Sequence, residues 1–228
     1  MAKLITKHNK NTDKTLLCFV GVLLCLAAPF GVFAAANMLP TAYRIGAAAL
    51  TALAAVLIAM HLSKTIGVLK SGLAGERAVA KLLTSLPEDC TVVANPVYVV
   101  DGKTMELDAV VVSKNGVFIV ETKNHAGDIE GSTKAQNWRQ TRLAKGGVPF
   151  TKEMKNPLLQ LERQQRLLSK MLGVPVEGCV YFANRYAKVH VESERICTTS
   201  AALLRAAKKG GGKLSADEQK QIVRLLRQ

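Results

Sequence analysis

Two long apolar segments stand almost back to back near the start of the chain, and they constrain it more than any other feature. Thr15 to Ala36 and Thr41 to Leu62 each approach the roughly 20 apolar residues that a helix needs to cross a bilayer. Lys3, Lys7, Lys10 and Lys14 precede the first, Lys64 and Lys70 follow the second, and only Arg44 lies near the turn between them. Positive charge on the outer flanks predicts a membrane hairpin with both ends in the cytoplasm. The expected location is therefore the inner (cytoplasmic) membrane of a bacterium, with the lipid bilayer as one partner. Two rivals use the same residues. A basic start, an apolar run and Ala34-Ala35-Ala36 resemble a cleavable signal, although the apolar core of a signal covers only about 7–15 residues. The alanine-rich second segment, with Arg44, would also suit a buried helix of a soluble protein.

The remainder reads as an ordinary α/β domain. The formal charge of +14 favours anionic partners, and lipid headgroups and nucleic acid both qualify. Cys18, Cys25, Cys90, Cys179 and Cys197 are scattered without a C-x-x-C pair or clustered histidines, so no structural zinc is expected. The three outside the apolar segments read as reduced, buried thiols. The division predicted is a basic N-terminus over 1–14, two spans over 15–62, a linker over 63–71, a catalytic-type domain over 72–207, and a Gly/Lys linker with a terminal helix over 208–228.

Within the domain, Ser71-Gly72 are expected to cap a helix that runs to about Leu86 and ends at Pro87. Thr91 to Val100 reads as a strand interrupted by Pro96, followed by an Asp101-Gly102 turn. Met105 to Ser113 and Val117 to Thr122, joined by Lys114-Asn115-Gly116, form a hairpin. An irregular basic stretch follows. Asn156-Pro157 then opens a helix that Gly173 stops. Val176 to Phe182 is a buried strand, and strand, helix, strand order implies a crossover in a mixed sheet. Lys188 to Val191 and Arg195 to Thr198 are short edge strands, Thr199 or Ser200 caps a helix to Ala207, and Ser215 with Glu218 makes a capping box.

Chemistry concentrates on the hairpin. Side chains alternate across a strand, so Asp108 lies opposite Glu121 if Lys114-Asn115 is the loop and opposite Lys123 if Asn115-Gly116 is. Either register puts Asp108, Glu121 and Lys123 on one surface, whereas a three-residue loop would break the arrangement. Leu107, Ala109 to Val112 and Val117 to Val120 are apolar on both faces, as in a strand covered on both sides. Carboxylates at the ends of such strands need a cation or a partner. A plain ion pair with Lys123 would satisfy one acid. Glu76 adds another, since Val79, Ala80 and Leu83 follow it at helical spacing and put it on a core-facing stripe. Carboxylates and a lysine suit phosphodiester hydrolysis with Mg²⁺ or Mn²⁺, and whether the lysine acts as cation or base stays open.

The residues Gly75-Glu76, Glu106-Leu107-Asp108, Gly116 to Asn124, Gly127 with Gly131, Trp138, and Asn156-Pro157-Leu158-Leu159-Gln160 resemble, in that order and spacing, the nuclease-related domain (NERD) family. That family is similar in core to the PD-(D/E)XK nucleases, which implies a mixed β-sheet flanked by helices, a restriction-endonuclease-like core. By this resemblance Asp108, Glu121 and Glu76 are metal ligands, Lys123 is the catalytic lysine, and Gln160 lines the site. Glu106 stands where the family usually has glutamine, Ala109 where it has histidine, and Leu161 and Gln164 replace a usual asparagine and histidine. The function implied is a membrane-anchored, metal-dependent nuclease acting on nucleic acid, DNA before RNA, at the cytoplasmic face. The alternative is a non-catalytic nucleic-acid-binding or membrane scaffolding protein that keeps the fold. Two further residues have a functional and a plainer reading: His125 could touch phosphate but reads more simply as a surface loop histidine, and Trp138 could stack on a base but reads more simply as a packing anchor. The basic run Lys134, Arg139, Arg142, Lys145 and Lys152 could track a phosphate backbone, face solvent or face lipid.

Overall fold

A computed structural model describes residues 1–143 and 146–227. It divides into two compact units, Asn9–Leu73, and Met1–His8 together with Ala74–Gln228. The first holds α1 (Lys10–Ala35) and most of α2 (Thr41–Leu83), both long and apolar enough to cross a membrane. The Asn9 side chain caps α1 by accepting from the Asn11 amide at 2.8 Å. Arg44 has a local task at the turn, where Nε and Nη2 donate to the Phe33 carbonyl at 3.3 and 3.1 Å while the guanidinium stacks over the Phe33 ring. A Cβ at Gly21 would stand 2.9 Å from Leu62 Cδ1, so a small residue sits where the two helices meet.

The expected helix start at Ser71-Gly72 is corrected, because both residues lie inside α2. Nothing between the apolar segment and Leu83 breaks a helix. Glycine costs only about 1 kcal/mol at an interior position and proline is absent from this stretch.

The second unit is built on a six-stranded mixed sheet, β1 (Lys3–Thr6), β2 (Thr91–Ala94), β5 (Ala109–Ser113), β6 (Gly116–Lys123), β10 (Val176–Phe182) and β12 (Ile196–Cys197), in that spatial order. The pairs β1·β2, β6·β10 and β10·β12 are parallel, and β5 is antiparallel to both neighbours. Every residue of β5 is buried. Val93, Val110, Ile119 and Val180 pack with Leu158, Leu161 and Leu168 on one face, while Val92, Val111, Phe118 and Val120 pack with Val79, Leu83 and Leu203 on the other. The two-sided burial read from the apolar runs is therefore present. Cys90, Cys179 and Cys197 are buried free thiols.

Three parts of this unit differ from the sequence reading. The lysine-rich start contributes β1, which is fixed by Ala2 N to the Thr84 and Leu86 carbonyls, Lys3 N to Cys90 O, and Lys7 N to Ala94 O. The run from Met105 to Ser113 is two strands, since β4 (Lys103–Glu106) pairs back on β3 (Val97–Val100) across Asp101 and Gly102 at φ 52° and 69°. The break between β4 and β5 is tied to the kink at Asn95 (φ 54°), because Asn95 N donates to Asp108 O and Leu107 N to Pro96 O. The stretch expected to be irregular holds β7 (Gly127–Glu130), β8 (Asn137–Leu143) and β9 (Pro149–Lys155), which with β11 (Ala187–Val189) make a second sheet ordered β11-β7-β8-β9. Trp138 and Gln140 point inward and Asn137 and Arg139 outward, so the strand pattern exists but uses a polar residue at an inward position.

Helices α3 (Pro157–Leu172), α4 (Ser200–Lys209) and α5 (Ala216–Arg227) complete the unit. Asn156 caps α3, Gly173 ends it in the left-handed region at φ 71°, Thr199 caps α4, and Ser215 with Glu218 forms the reciprocal box before α5. The glycine tract after α4 is pinned: Gly212 N donates to Asn115 O and Leu214 N to Lys114 O. A Cβ at Gly210 would fall 2.0 Å from Asn115 O.

Candidate active site

The β5–β6 register pairs Ala109 with Val120 and Ser113 with Gly116, so Lys114-Asn115 is the loop and Asp108 comes opposite Glu121. Of the two registers compatible with the sequence, this is the one that brings the acids together. Glu121 and Lys123, two residues apart on β6, share a face and meet at 2.6 Å between Oε1 and Nζ. Lys123 Nζ also donates to Gln160 Oε1 on α3 at 3.1 Å. Glu121 is buried, with its side chain 3% exposed. Its second oxygen accepts from Gln164 Nε2 at 2.8 Å, and the same amide group donates to the Glu106 carbonyl at 3.0 Å.

Asp108 sits at the kink before β5, where its Oδ2 accepts from the Thr122 amide at 2.6 Å. Burial, the Glu121 charge and the Glu76 charge push its carboxyl well above the usual range, against the Thr122 amide and Lys123, which lower it. For Lys123, burial disfavours the ammonium. Glu121, Asp108 and Glu76 outweigh that, and the net shift is upward. Glu76 thus acts electrically on both groups. Gly75 places it, since a Cβ there would lie 2.9 Å from Asn124 Cβ, and only glycine lets α2 approach the end of β6 so closely.

The structure therefore gathers Asp108, Glu121, Lys123 and Gln160 at one end of the sheet, with Glu76 near enough to act through its charge. Gln164 was noted in the sequence only as a departure, yet it holds the buried oxygen of Glu121. Its i+4 spacing from Gln160 was the available clue. Among the described residues, no group of three or more His, Cys, Asp or Glu side chains forms a metal cage.

Around this centre the remaining motif residues are structural. Trp138 is fully buried and donates from Nε1 to Ser132 O at 2.8 Å, which rules out stacking on a base. A Cβ at Gly131 would come within 2.3 Å of its indole. Asn156 caps α3 and donates from Nδ2 to the carbonyls of Ser132, Thr133 and Ala135, fixing that loop. His125 is partly buried; burial and the Lys152, Lys123 and Arg142 charges lower its pKa to about 4, against a Gln140 hydrogen bond that raises it. It is a neutral, half-enclosed histidine and not a surface one. Lys134, Arg139, Arg142 and Lys152 are exposed, and Lys145 lies outside the described residues. A cavity of about 640 Å³ opens beside the centre, with Glu106, Gln160 and Gln164 in its wall.

Comparison with known proteins agrees with this arrangement. Residues 71–183 match the nuclease-related domain. An uncharacterised protein of Bacillus anthracis is 45% identical over 71 residues, 30% of this chain and 34% of the relative, so the match spans about a third of that protein. No solved structure matches the chain. Residues 71–183, which contain every residue of the centre just described, match the nuclease-related domain as one continuous stretch.

Proposed function

We propose that the protein is a membrane-anchored, Mg²⁺- or Mn²⁺-dependent nuclease that hydrolyses phosphodiester bonds of DNA or RNA at the cytoplasmic face. The observation that carries this reading is the convergence of Asp108, Glu121 and Lys123 at one sheet end, with Lys123 bonded to both Glu121 and Gln160. Burial raises the pKa of Asp108 most, and the negative charge of Glu121 and the neighbouring Glu76 raises it further. A divalent cation would offset that negative charge. The donors would be hard carboxylate oxygens, the kind Mg²⁺ takes one or two of while keeping several waters. Such a metal would lower the pKa of a bound water and neutralise charge on the phosphate.

The protein's own groups have separable tasks. Burial lowers the Lys123 pKa and the Glu121, Asp108 and Glu76 charges more than offset it, which favours the ammonium, and that charge would face the phosphoryl oxygens. Gln160 Oε1 accepts from Lys123 Nζ and so aims the lysine ammonium, and Gln164 keeps Glu121 from rotating away.

The cytoplasmic placement rests on two features. β1 precedes α1 and joins the same sheet as strands that follow α2, so both flanks of the helical pair lie on one side. If α1 and α2 span the bilayer they must do so as a pair, and the lysines on their outer flanks put that side in the cytoplasm.

One observation favours the non-catalytic alternative: the 2.6 Å Lys123–Glu121 contact is also a complete ion pair without metal. The test uses the full-length chain in detergent, with end-labelled single- and double-stranded substrates in Mg²⁺, Mn²⁺ or EDTA. Metal-dependent cutting should fall at least about a hundredfold in Asp108→Ala and Lys123→Ala, in line with losses of a few kcal/mol for electrostatic groups at active sites. Binding that persists in both variants and weakens with salt, without cleavage in any metal, would establish the alternative.

A further inference from the structure

The β8 and β9 strands end in a two-stranded arm whose side chains divide between two faces. Trp138 pairs with Met154, Gln140 with Lys152 and Arg142 with Phe150, so these six share one face. Thr141 pairs with Thr151 and Leu143 with Pro149 on the other. The shared face is buried at Trp138 and Gln140 and comes to the surface with Arg142, Phe150 and Lys152. Phe150 is 53% exposed there. Neither Arg142 nor Lys152 has an ion-pair partner among the described residues, whereas Arg139 on the opposite face meets Glu130 at 3.1 Å.

An exposed ring alone is ordinary; what distinguishes Phe150 is where its face leads. Gln140 Nε2 donates to the Ala126 carbonyl at 2.6 Å, which ties this face of the arm to the segment that follows Lys123. Burial and the Lys152, Lys123 and Arg142 charges lower the His125 pKa to about 4, so both arm cations and the lysine of the centre converge on one neutral histidine. Gly127, at φ 89°, lets the arm come so close: a Cβ there would stand 2.2 Å from Thr141 O and 2.8 Å from Arg142 Cγ. The Arg142 stem therefore lies across the backbone just past His125. Phe150 and Arg142 stand two residues, roughly 7 Å, farther along the strands than the Gln140 and Lys152 pair.

Positive charge running from Lys123 through Lys152 to Arg142 is what successive phosphates of one strand require. An open aromatic face beside it is what an unpaired base stacks on. A duplex offers no such base, because both faces of each interior base are already stacked on neighbours. We propose that Arg142, Phe150 and Lys152 form a single-strand subsite, in which the two cations take phosphates next to the one at Lys123 and Phe150 stacks on an unpaired base. The substrate is then nucleic acid that is single-stranded or frayed on that side of the cut. The inference rests on the nuclease reading in taking the ligand to be a nucleic acid with a phosphate at Lys123. Leu143 is exposed at the same tip but lies on the other face and has no part in it.

The experiment measures binding of a labelled oligothymidine and a labelled blunt duplex to the full-length protein in detergent with EDTA, by fluorescence anisotropy. Phe150→Ala should weaken the single strand at least about fivefold, as loss of one stacked base does, and change the duplex by less than about twofold. Phe150→Tyr should keep the wild-type affinity, and Leu143→Ala should alter neither ligand. Arg142→Ala and Lys152→Ala should each reduce the salt slope on the single strand by about 0.7. Unchanged single-strand affinity in Phe150→Ala, an equal loss on the duplex, or an equal loss in Leu143→Ala would each overturn the proposal. A bilayer contact for the tip is the competing outcome, and Phe150→Trp reports it. Its emission should be quenched by oligothymidine and stay unmoved on transfer from detergent to nanodiscs of anionic lipid, whereas a blue shift in those nanodiscs without nucleic acid would overturn the proposal. Since no metal is present, a protein that never cuts nucleic acid can still show the Phe150 dependence. One that cuts without it would keep the hydrolytic reading and lose this one.

Discussion

Glu121 has both carboxylate oxygens engaged, one by Lys123 and the other by Gln164, in a setting almost closed to water. Removing the Gln164 amide leaves a buried charged oxygen without its donor, which typically costs about 1–3 kcal/mol. Gln164→Leu should therefore lower the thermal transition, read from Trp138, the chain's single tryptophan and a fully buried one. The same variant should reduce any cleavage by freeing the Glu121 side chain. His125 makes a second residue-scale prediction. Its pKa is lowered to about 4 from 6.5, so below pH 6.5 the unfolded chain takes up a proton that the folded chain refuses. Stability is full above pH 6.5 and falls as pH drops toward 4, by on the order of 2–3 kcal/mol. His125→Gln should flatten that window relative to wild type, whereas an unchanged acid limb would contradict the burial assigned to it. At this scale the sequence was informative where strand parity fixes a face, as for Asp108, Glu121 and Lys123. It read His125 as a surface residue, because the enclosure of that histidine and the Lys152 and Arg142 charges beside it depend on strands that were not foreseen.

Elements whose ends carry their own chemistry were legible. The Asn156-Pro157 start and Gly173 stop of α3, and the Ser215–Glu218 box, act within four residues and need no tertiary partner. Strands with distant partners were not: β1 pairs with β2 across the whole helical segment, and β8 hides its period by placing Gln140 inward beside Trp138. Likewise Ser71 and Gly72 look like a helix start only because they are a common cap pair, while the flanking residues simply continue α2. The Gly131–Trp138 contact tests the second sheet as a unit. Gly131→Ala sets a methyl 2.3 Å from the indole, and the required shift should destabilise the protein by about 1–3 kcal/mol. A melting temperature unchanged from wild type would mean that Trp138 is seated differently.

For the molecule as a whole, membership of β1 in the same sheet as β2 has a topological consequence, because the segments on either side of α1 and α2 cannot be separated by a bilayer. Tags placed at the two ends should both be shielded from an impermeant reagent added to intact cells and both be labelled after lysis. Labelling of one end alone would break the hairpin arrangement. The apolar N-terminal third was legible from composition as two helices long enough to cross a membrane, but composition could not say that residues before α1 complete the domain after α2. For that reason the full chain, and not a fragment beginning near Ser71, is the material for every assay. The central claim is that Asp108 and Glu121 hold a divalent cation for phosphodiester cleavage, and its most direct test is the cleavage rate of a labelled oligonucleotide against Mg²⁺ concentration. Wild type should give a saturable curve that EDTA abolishes, and Glu121→Gln should retain less than about a hundredth of the rate at any Mg²⁺ concentration. A rate independent of Mg²⁺, or equal in Glu121→Gln, would contradict it.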